Sequence, residues 1–281
     1  ATELIDYTKK ENVSLSLPSL RIDKFAFDVL NKIQEYKKSG LTYAPEAGTQ
    51  RLRDVINKGV TDDDIFNSIE QALILGWKHI KLYFMIGLPT ETYEDLDGIA
   101  DIAKRIIDLN YKINGPKGGR FNVTVSVSNF VPKADTPFQW EAQNTALEFE
   151  EKHNYLAQKL RIKGVTGRLL YEAHKAGAKL DGWTEHFRPD AWEKAFAKSG
   201  IDRDFYTTRK RSFDEVLPWD VIDCGVSKKY LINEAKKAHD EKTTHDCRLG
   251  CTGCGMNRHV KCAMDGILKK DSVQERSQRD E

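Results

Sequence analysis

The stretch LTYAPEAGTQRLRDVINKGVTDDDIFNSIEQALILGWKHIKLYFMIGLPTET, residues 41–92, holds the pattern that decides the fold. Its first residues, LTYA (41–44), are typical of a short strand. Residues 62–75 are predicted to form a helix because apolar side chains recur along one stripe, at Ile65, Ile69, Ala72 and Leu73. The apolar run HIKLYFMI (79–86), bounded by glycines, indicates a buried strand. A strand, a helix and a strand in this order predict parallel pairing through a right-handed crossover.

The same alternation of strands and helices extends beyond both ends of this stretch. VSLSL (13–17) is a predicted strand followed by a helix, and FNVTVSVSNFV (121–131) is the clearest strand in the chain. We therefore predict an α/β fold for residues 1–163, namely part of a (β/α) barrel of the TIM-barrel kind with about four strands. Residues 164–268 are predicted to form a small helical domain with a Cys-rich motif. The polar tail 269–281 is predicted to be disordered.

Composition narrows the classes of function. The chain of 281 residues has 44 Lys and Arg against 43 Asp and Glu, so no whole-molecule field attracts nucleic acid or a membrane. No stretch approaches the roughly 18 apolar residues of a membrane span, and the polar first residues lack a signal-peptide core. Three of the five cysteines fall within eight residues, which suits metal binding in a reducing compartment, so we expect a cytoplasmic protein. Because the chain lacks an initiating Met, we expect a fragment or a processed protein.

The predicted strands end in unusual peptides, and the carboxyl ends of strands are where parallel barrels gather their active sites. The peptides are 18–21, 45–49, 87–92 and 129–133. Each one alone is also compatible with an ordinary βα turn, in which Pro, Gly and a helix-capping Thr such as Thr90 are common. Glu46 likewise has a structural alternative, since it could cap a helix that begins near Thr49. Four such peptides in register favour a functional site.

A second group of candidate residues is the cysteine motif DCRLGCTGCG (246–255). Cys247, Cys251 and Cys254 have a spacing that can wrap a compact metal centre, and the intervening glycines let the backbone fold around it. Both a [4Fe–4S] cluster and zinc are compatible with the three thiolates, and either needs a fourth ligand. Cys224 and Cys262 are the first candidates for that ligand, with His245 or His259 behind them. The structural alternative is an incidental cluster of buried thiols.

Several long motifs, taken in order, resemble radical S-adenosylmethionine (SAM) enzymes. LTYAPEAGTQRLRDVINKGVT (41–61) resembles the segment in which a strand-end Glu precedes a helix and an Asn-Lys-Gly turn, and YFMIGLPTET (83–92) resembles the glycine-proline strand end that follows it. A narrower resemblance is to an uncharacterised bacterial family of cobalamin-binding-type radical SAM proteins. It rests on SLSLPSLRID (14–23), VSVSNFVPKADTPFQW (125–140), DGWTEHF (181–187), DVIDCGVSKKYL (220–231) and DCRLGCTGCG (246–255).

The resemblance implies a reaction and a set of ligand contacts. The reaction is reductive SAM cleavage by a [4Fe–4S] cluster, with an electron donor such as flavodoxin or ferredoxin, on a substrate that could be RNA or protein. Residues 1–163 would be the C-terminal half of a radical-SAM-type barrel. Glu46 and Lys58 would meet the polar parts of SAM, and Gly87, Leu88 and Pro89 its adenine. Arg21 is a further candidate, and no catalytic residue is identified.

The resemblance also implies missing parts. The SAM-cluster motif Cx3CxxC and a cobalamin-binding domain would both lie upstream of Ala1, so the chain alone is expected to be inactive. The C-terminal cysteines share the motif's spacing but lie beyond the barrel strands and lack the usual aromatic residue before the third Cys, so we interpret them as an auxiliary site. The connection 162–168 is shorter than its counterpart in the family, which puts part of the substrate side in question.

A different class of function is also compatible with the sequence. The cysteine trio lies beside Arg248, Arg258, His259 and Lys261, a small basic patch of the kind that nucleic acid favours. The alternative is therefore a non-enzymatic zinc module that binds RNA or a protein partner. Metal analysis separates the two, since iron with sulfide indicates the enzyme and zinc the module.

Overall fold

The computed structural model describes residues 40–115, 121–163 and 202–259. This part of the chain contains three β-strands, six α-helices and one short 3₁₀ helix, Met256–Arg258. In chain order the strands and α-helices are β1 Leu41–Glu46, α1 Gln50–Val55, α2 Asp62–Ile74, β2 His79–Ile86, α3 Tyr93–Asn114, β3 Asn122–Asn129, α4 Ala146–Ile162, α5 Arg203–Thr207 and α6 Lys228–His239. The predicted strand 13–17 lies outside the described residues, as does Arg21.

The three described strands form one parallel sheet in the order β1-β2-β3. Leu41 of β1 pairs with Ile80 of β2, and Ile80 in turn pairs with Val123 of β3. The register between β1 and β2 is irregular between Tyr43 and Glu46, where Pro45 has no N–H to donate to the ladder. The predicted α/β class and the parallel pairing are confirmed, and the sheet is consistent with part of a radical SAM β/α fold.

The two faces of the sheet differ in polarity because successive side chains alternate. One face carries large apolar residues that pack with α2, α3 and α4 into the main core, among them Tyr43, Ile80, Leu82, Phe84, Ile86, Val123 and Val125. The other face carries smaller or polar residues that are partly or fully exposed, among them Thr42, Lys81, Tyr83, Thr124 and Ser128. In a β/α barrel the helices cover the outer face of the sheet, so the face without helices corresponds to the inner one, and ligands bind at the carboxyl ends of the strands.

Threonine caps begin the three longest helices, and one of them corrects the sequence analysis. Thr61 and Thr145 form capping boxes at the starts of α2 and α4. Helix α3 is capped by Thr92 and not by Thr90, which has a φ of 64° and accepts a hydrogen bond from Arg51 instead. Neither these helices nor the others in the described ranges combine the length and apolarity that a bilayer span requires.

The loop after β1 crosses helix α3 with backbone against backbone. Gly48 and Gly98 are both buried, and a Cβ on Gly48 would lie 2.1 Å from the Asp95 carbonyl oxygen and 2.4 Å from the Ile99 nitrogen. The Asp95 carboxylate is also buried in this crossing and accepts hydrogen bonds from the Thr49 hydroxyl and the Arg51 guanidinium. The close approach fixes where β1 ends and α1 begins.

Helix α6, in the described range 202–259, packs against the loops that follow the strands. Ala238 of α6 joins an apolar cluster with residues that come just after each strand, namely Ala47, Leu88 and Phe130. Two polar contacts reinforce the docking: Arg51 pairs with Glu241 at 3.0 Å, and the Thr244 N–H donates to Asn57 Oδ1 at 3.0 Å. The end of helix α6 and the segment after it therefore lie against the loops at the carboxyl ends of the strands. The predicted domain boundaries at 163/164 and 268/269 stay predictions.

Candidate functional site

Glu46 and Lys58 meet at the carboxyl end of β1. The Lys58 Nζ donates to Glu46 Oε1 at 3.2 Å, and the two side chains are 29% and 26% exposed. Glu46 has a φ of 69°, while Asn57 at 50° and Gly59 at 62° form the turn that brings the chain back after the short helix α1. The structure thus brings together two residues that the resemblance places in one site.

Glu46 does not cap helix α1. The cap is Thr49, whose hydroxyl accepts a hydrogen bond from the Leu52 N–H at 3.2 Å, and the first turn of α1 contains no acidic residue. The structural alternative considered for Glu46 is therefore wrong. Its carboxylate lies at the carboxyl end of β1, beside an ammonium group and partly exposed, where both charges can reach the polar groups of a ligand.

The predicted adenine contacts lie in a more enclosed place. Gly87, Leu88 and Pro89 are all buried. Gly87 has a φ of 81°, and a Cβ there would lie 2.5 Å from Cε1 of Phe149 on α4, so packing as well as backbone conformation requires glycine. The turn is covered by protein, whereas Glu46 and Lys58 are accessible. Its role in adenine binding stays a prediction.

Glu91 and Lys152 hold this turn in place, and the sequence analysis missed them. The Glu91 side chain is 1% exposed, and its Oε1 accepts from the Gly87 N–H at 2.8 Å and from Lys152 Nζ at 2.7 Å. Lys152 also donates to Asn144 Oδ1 at 2.9 Å. Burial raises the pKa of Glu91, and the Lys152 ammonium opposes that rise. The pair fastens the loop after β2 to helix α4.

The cysteines of the predicted metal site are free thiols. Cys224, Cys247 and Cys251 are exposed and Cys254 is partly buried. The Ser227 N–H donates to the Cys254 carbonyl at 2.9 Å, so the segment after Cys224 lies against the end of the motif. Within the described ranges, however, no three His, Cys, Asp or Glu side chains lie close enough to hold a metal ion. The thiolate chemistry suits a metal, and the metal site and the choice between iron and zinc stay predictions.

We expect the triple variant Cys247→Ala, Cys251→Ala, Cys254→Ala to lose its iron after anaerobic reconstitution. The unsubstituted chain should bind about four iron and four sulfide ions per molecule, as a [4Fe–4S] cluster requires. Cys224→Ala alone tests the fourth ligand and should bind less iron than the unsubstituted chain. Unchanged iron in the triple variant would contradict the iron–sulfur interpretation, and zinc without iron in the purified protein would favour the module.

Comparison with known proteins gives evidence on the strand-end residues Glu46, Lys58 and Gly87–Pro89. Residues 1–103 match the profile of the Radical SAM superfamily. This chain carries a radical SAM domain. The matched range includes β1, β2, the Glu46–Lys58 pair and the turn at Gly87–Pro89.

A similar protein is known from an archaeon. An uncharacterised protein of Methanocaldococcus jannaschii is 34% identical over 170 residues, which are 60% of this chain and 34% of the relative. The chain thus spans about a third of the length of that relative. The narrower resemblance to cobalamin-binding-type radical SAM proteins is not confirmed by either comparison, and cobalamin stays a prediction.

Proposed function

We propose that this chain contributes the SAM-contacting side of a radical SAM enzyme. The observation that carries the proposal is the Glu46–Lys58 pair, which lies at the carboxyl end of a parallel strand within the matched range. A [4Fe–4S] cluster and SAM, when bound, supply the electron transfer and the radical chemistry, and the protein supplies position and electrostatics.

The Glu46–Lys58 ion pair can open so that both side chains contact a ligand instead. The two charged groups are 3.2 Å apart and both are more than a quarter exposed, so their attraction is worth no more than about 1 kcal/mol. The Glu46 carboxylate can accept hydrogen bonds from the hydroxyl or ammonium groups of SAM, and the Lys58 ammonium can meet a carboxylate. Exchanging the ion pair for these contacts therefore costs little.

Glu46→Gln is expected to lower SAM cleavage at least about tenfold, about 1.4 kcal/mol of lost stabilisation, in an active protein that contains this chain. Because the carboxylate is partly exposed and caps no helix, the melting temperature should change little. The measurement is 5′-deoxyadenosine formed per folded molecule. Lys104→Met, which breaks an exposed ion pair with Asp108 on α3, is the matched control and should preserve cleavage. A lower melting temperature with unchanged cleavage would favour a structural role for Glu46.

The proposal also requires cysteines for the SAM cluster, because the C-terminal trio is interpreted as an auxiliary site. We propose that a Cx3CxxC motif precedes Ala1 in the natural protein, and the coding sequence upstream is the direct test. Its absence there would overturn the proposal. For residues 1–281 alone we expect weak or undetectable SAM binding, so a low-micromolar affinity by calorimetry would contradict the interpretation as an incomplete site.

A further inference from the structure

A cavity with a volume of about 420 Å³ lies between the loop after β3 and the start of helix α6. Asp135 and Gln139 line it from the loop, and residues between Asp220 and Leu231 line it from the other side. The volume is within the range of small-molecule sites. The cavity is separate from the Glu46–Lys58 pair, and Cys224, the candidate fourth metal ligand, is one of its lining residues.

The charged groups of this cavity favour a cation. Three carboxylates, Asp135, Asp220 and Asp223, face one ammonium, Lys228, which gives the lining a formal charge of −2. Lys228 Nζ is 3.1 Å from Asp220 Oδ2 and neutralises that carboxylate. The Asp135 carboxylate makes no hydrogen bond or ion pair within the described ranges. Asp223 accepts one hydrogen bond, from the Gly225 N–H, and is 3.7 Å from the ring of His259. Two carboxylates therefore remain to attract a positive charge.

Gln139 adds a hydrogen-bond donor. The residue is only 3% exposed, and its Oε1 accepts from Trp219 Nε1 at 2.6 Å and from the Asp135 N–H at 3.2 Å. Two donors on the oxygen fix the orientation of the amide, so the nitrogen points the other way. That nitrogen donates no hydrogen bond to any described residue, and Gln139 lines the cavity. A nearly buried donor without a partner suits a ligand with an acceptor.

The remaining lining limits the class of ligand. Val226 and Leu231 supply an apolar wall, with Ile222 at its edge. A bare metal ion does not fit, because no three donor side chains in the described part of the chain lie close enough to hold one. A ligand with a free carboxylate would be repelled by Asp135 and Asp223. What remains is an organic cation with a neutral acceptor and an apolar group.

We propose that this cavity binds a small primary amine that carries a carbonyl acceptor and an apolar group. An amino-acid amide and the amino terminus of a peptide share this chemistry. The ammonium would lie between Asp135 and Asp223, the carbonyl oxygen would accept from Gln139, and the apolar group would contact Val226 and Leu231. Since Asp135 follows the carboxyl end of β3, the cavity would be a substrate subsite, a role that rests on the proposed function. Binding itself does not depend on it.

Calorimetry on the 281-residue chain tests the proposal with leucinamide as the probe. N-acetyl-leucinamide, which has the same shape near the carbonyl but no charge, should bind at least about tenfold more weakly. Asp135→Asn should weaken leucinamide binding about fivefold, the effect of one partly exposed ion pair, and Asp223→Asn should weaken it less because the Asp223 side chain is 73% exposed. Asparagine is well tolerated at the φ of 56° of Asp135, so this variant should fold normally. Asp214→Asn, an exposed acid outside the lining, is the control and should bind like the unsubstituted chain.

A second set of calorimetry measurements distinguishes an amino-acid amide from the amino terminus of a peptide. If leucyl-glycyl-glycinamide binds more tightly than leucinamide, the ligand is a peptide amino terminus, and if it binds more weakly, the ligand is a free amide. Equal binding of the charged and acetylated probes, or unchanged binding in the Asp135→Asn, Asp223→Asn double variant, would overturn the proposal. Because no cluster or SAM is present in this experiment, its failure leaves the proposed radical SAM function untouched, and a failure of SAM cleavage leaves this site untouched.

Discussion

Gly48→Ala is expected to lower the free energy of unfolding by about 3 kcal/mol or more, because there is no room for a methyl group where the β1–α1 loop crosses helix α3. The new Cβ would lie 2.1 Å from the Asp95 carbonyl oxygen and 2.8 Å from the Gly98 carbonyl carbon. These are backbone atoms of a long helix, so they cannot move aside as a flexible side chain could. Urea denaturation monitored by circular dichroism measures the loss.

The control for this variant is Gly40→Ala, just before β1. A Cβ on Gly40 would meet nothing closer than Cβ of His79 at 3.5 Å, an ordinary contact, so the free energy of unfolding should change by no more than about 0.5 kcal/mol. Gly98→Ala should be as damaging as Gly48→Ala, since its Cβ would lie 2.5 Å from the Gly48 carbonyl oxygen. A Gly48→Ala protein as stable as the Gly40→Ala protein would show that the two backbones are not in contact.

Lys152→Met is the second substitution with a large expected effect, about 3 kcal/mol of lost stability at neutral pH. It would leave the Glu91 carboxylate, 1% exposed, without its positive partner. The pKa of Glu91, already raised by burial, should then rise further. A folded protein that holds a proton more tightly than the unfolded chain loses stability as the pH rises through the interval between the two pKa values. The deficit should therefore be largest near neutral pH and shrink on acidification toward the ordinary carboxyl range.

Two further variants isolate the buried pair. Glu91→Gln combined with Lys152→Met should recover part of the loss, because a neutral amide can still accept from the Gly87 N–H. Lys159→Met, on the same helix, breaks an ion pair with Asp97 whose partners are both about a third exposed, and should cost much less stability than Lys152→Met. A Lys152→Met deficit that does not vary between acidic and neutral pH would mean that the Glu91 charge is not its cause.

The strands and long helices could be predicted because their signals are local. The apolar run 79–86 and the alternation in 121–131 correspond to β2 and β3, and residues 145–162 to the capped helix α4. The first and last residues of the short helix α1 were harder to predict, because a six-residue helix has little periodicity to detect. The choice of Thr92 over Thr90 as a cap depends on where Asp95 lies relative to both, which the turn geometry decides.

The site could be predicted only where its parts are close in sequence. Glu46 and Lys58 are 12 residues apart in one strand-helix unit, and the family resemblance named both. Glu91 and Lys152 are 61 residues apart, and Gln139 and Trp219 are 80 apart, so neither contact leaves a local pattern. The glycine crossing at Gly48 and Gly98 is hidden for the same reason. The cysteine trio could be found from its spacing alone, and its metal site stays a prediction.

The docking of helix α6 on the strand-end loops also bears on how this protein can diverge. Ala238 contacts a surface made by Ala47, Leu52, Val55 and Leu88, so a larger side chain at any of these positions requires a compensating change at another. Homologous recombination with a breakpoint between α3 and α6 would combine a helix α6 from one parent with strand-end loops from another, and the two contact surfaces would not have evolved together. The substitutions at position 238 should therefore covary with those at 47 and 88 across relatives, and the carboxyl-terminal helices should be inherited together with the β1–α1 and β2–α3 loops.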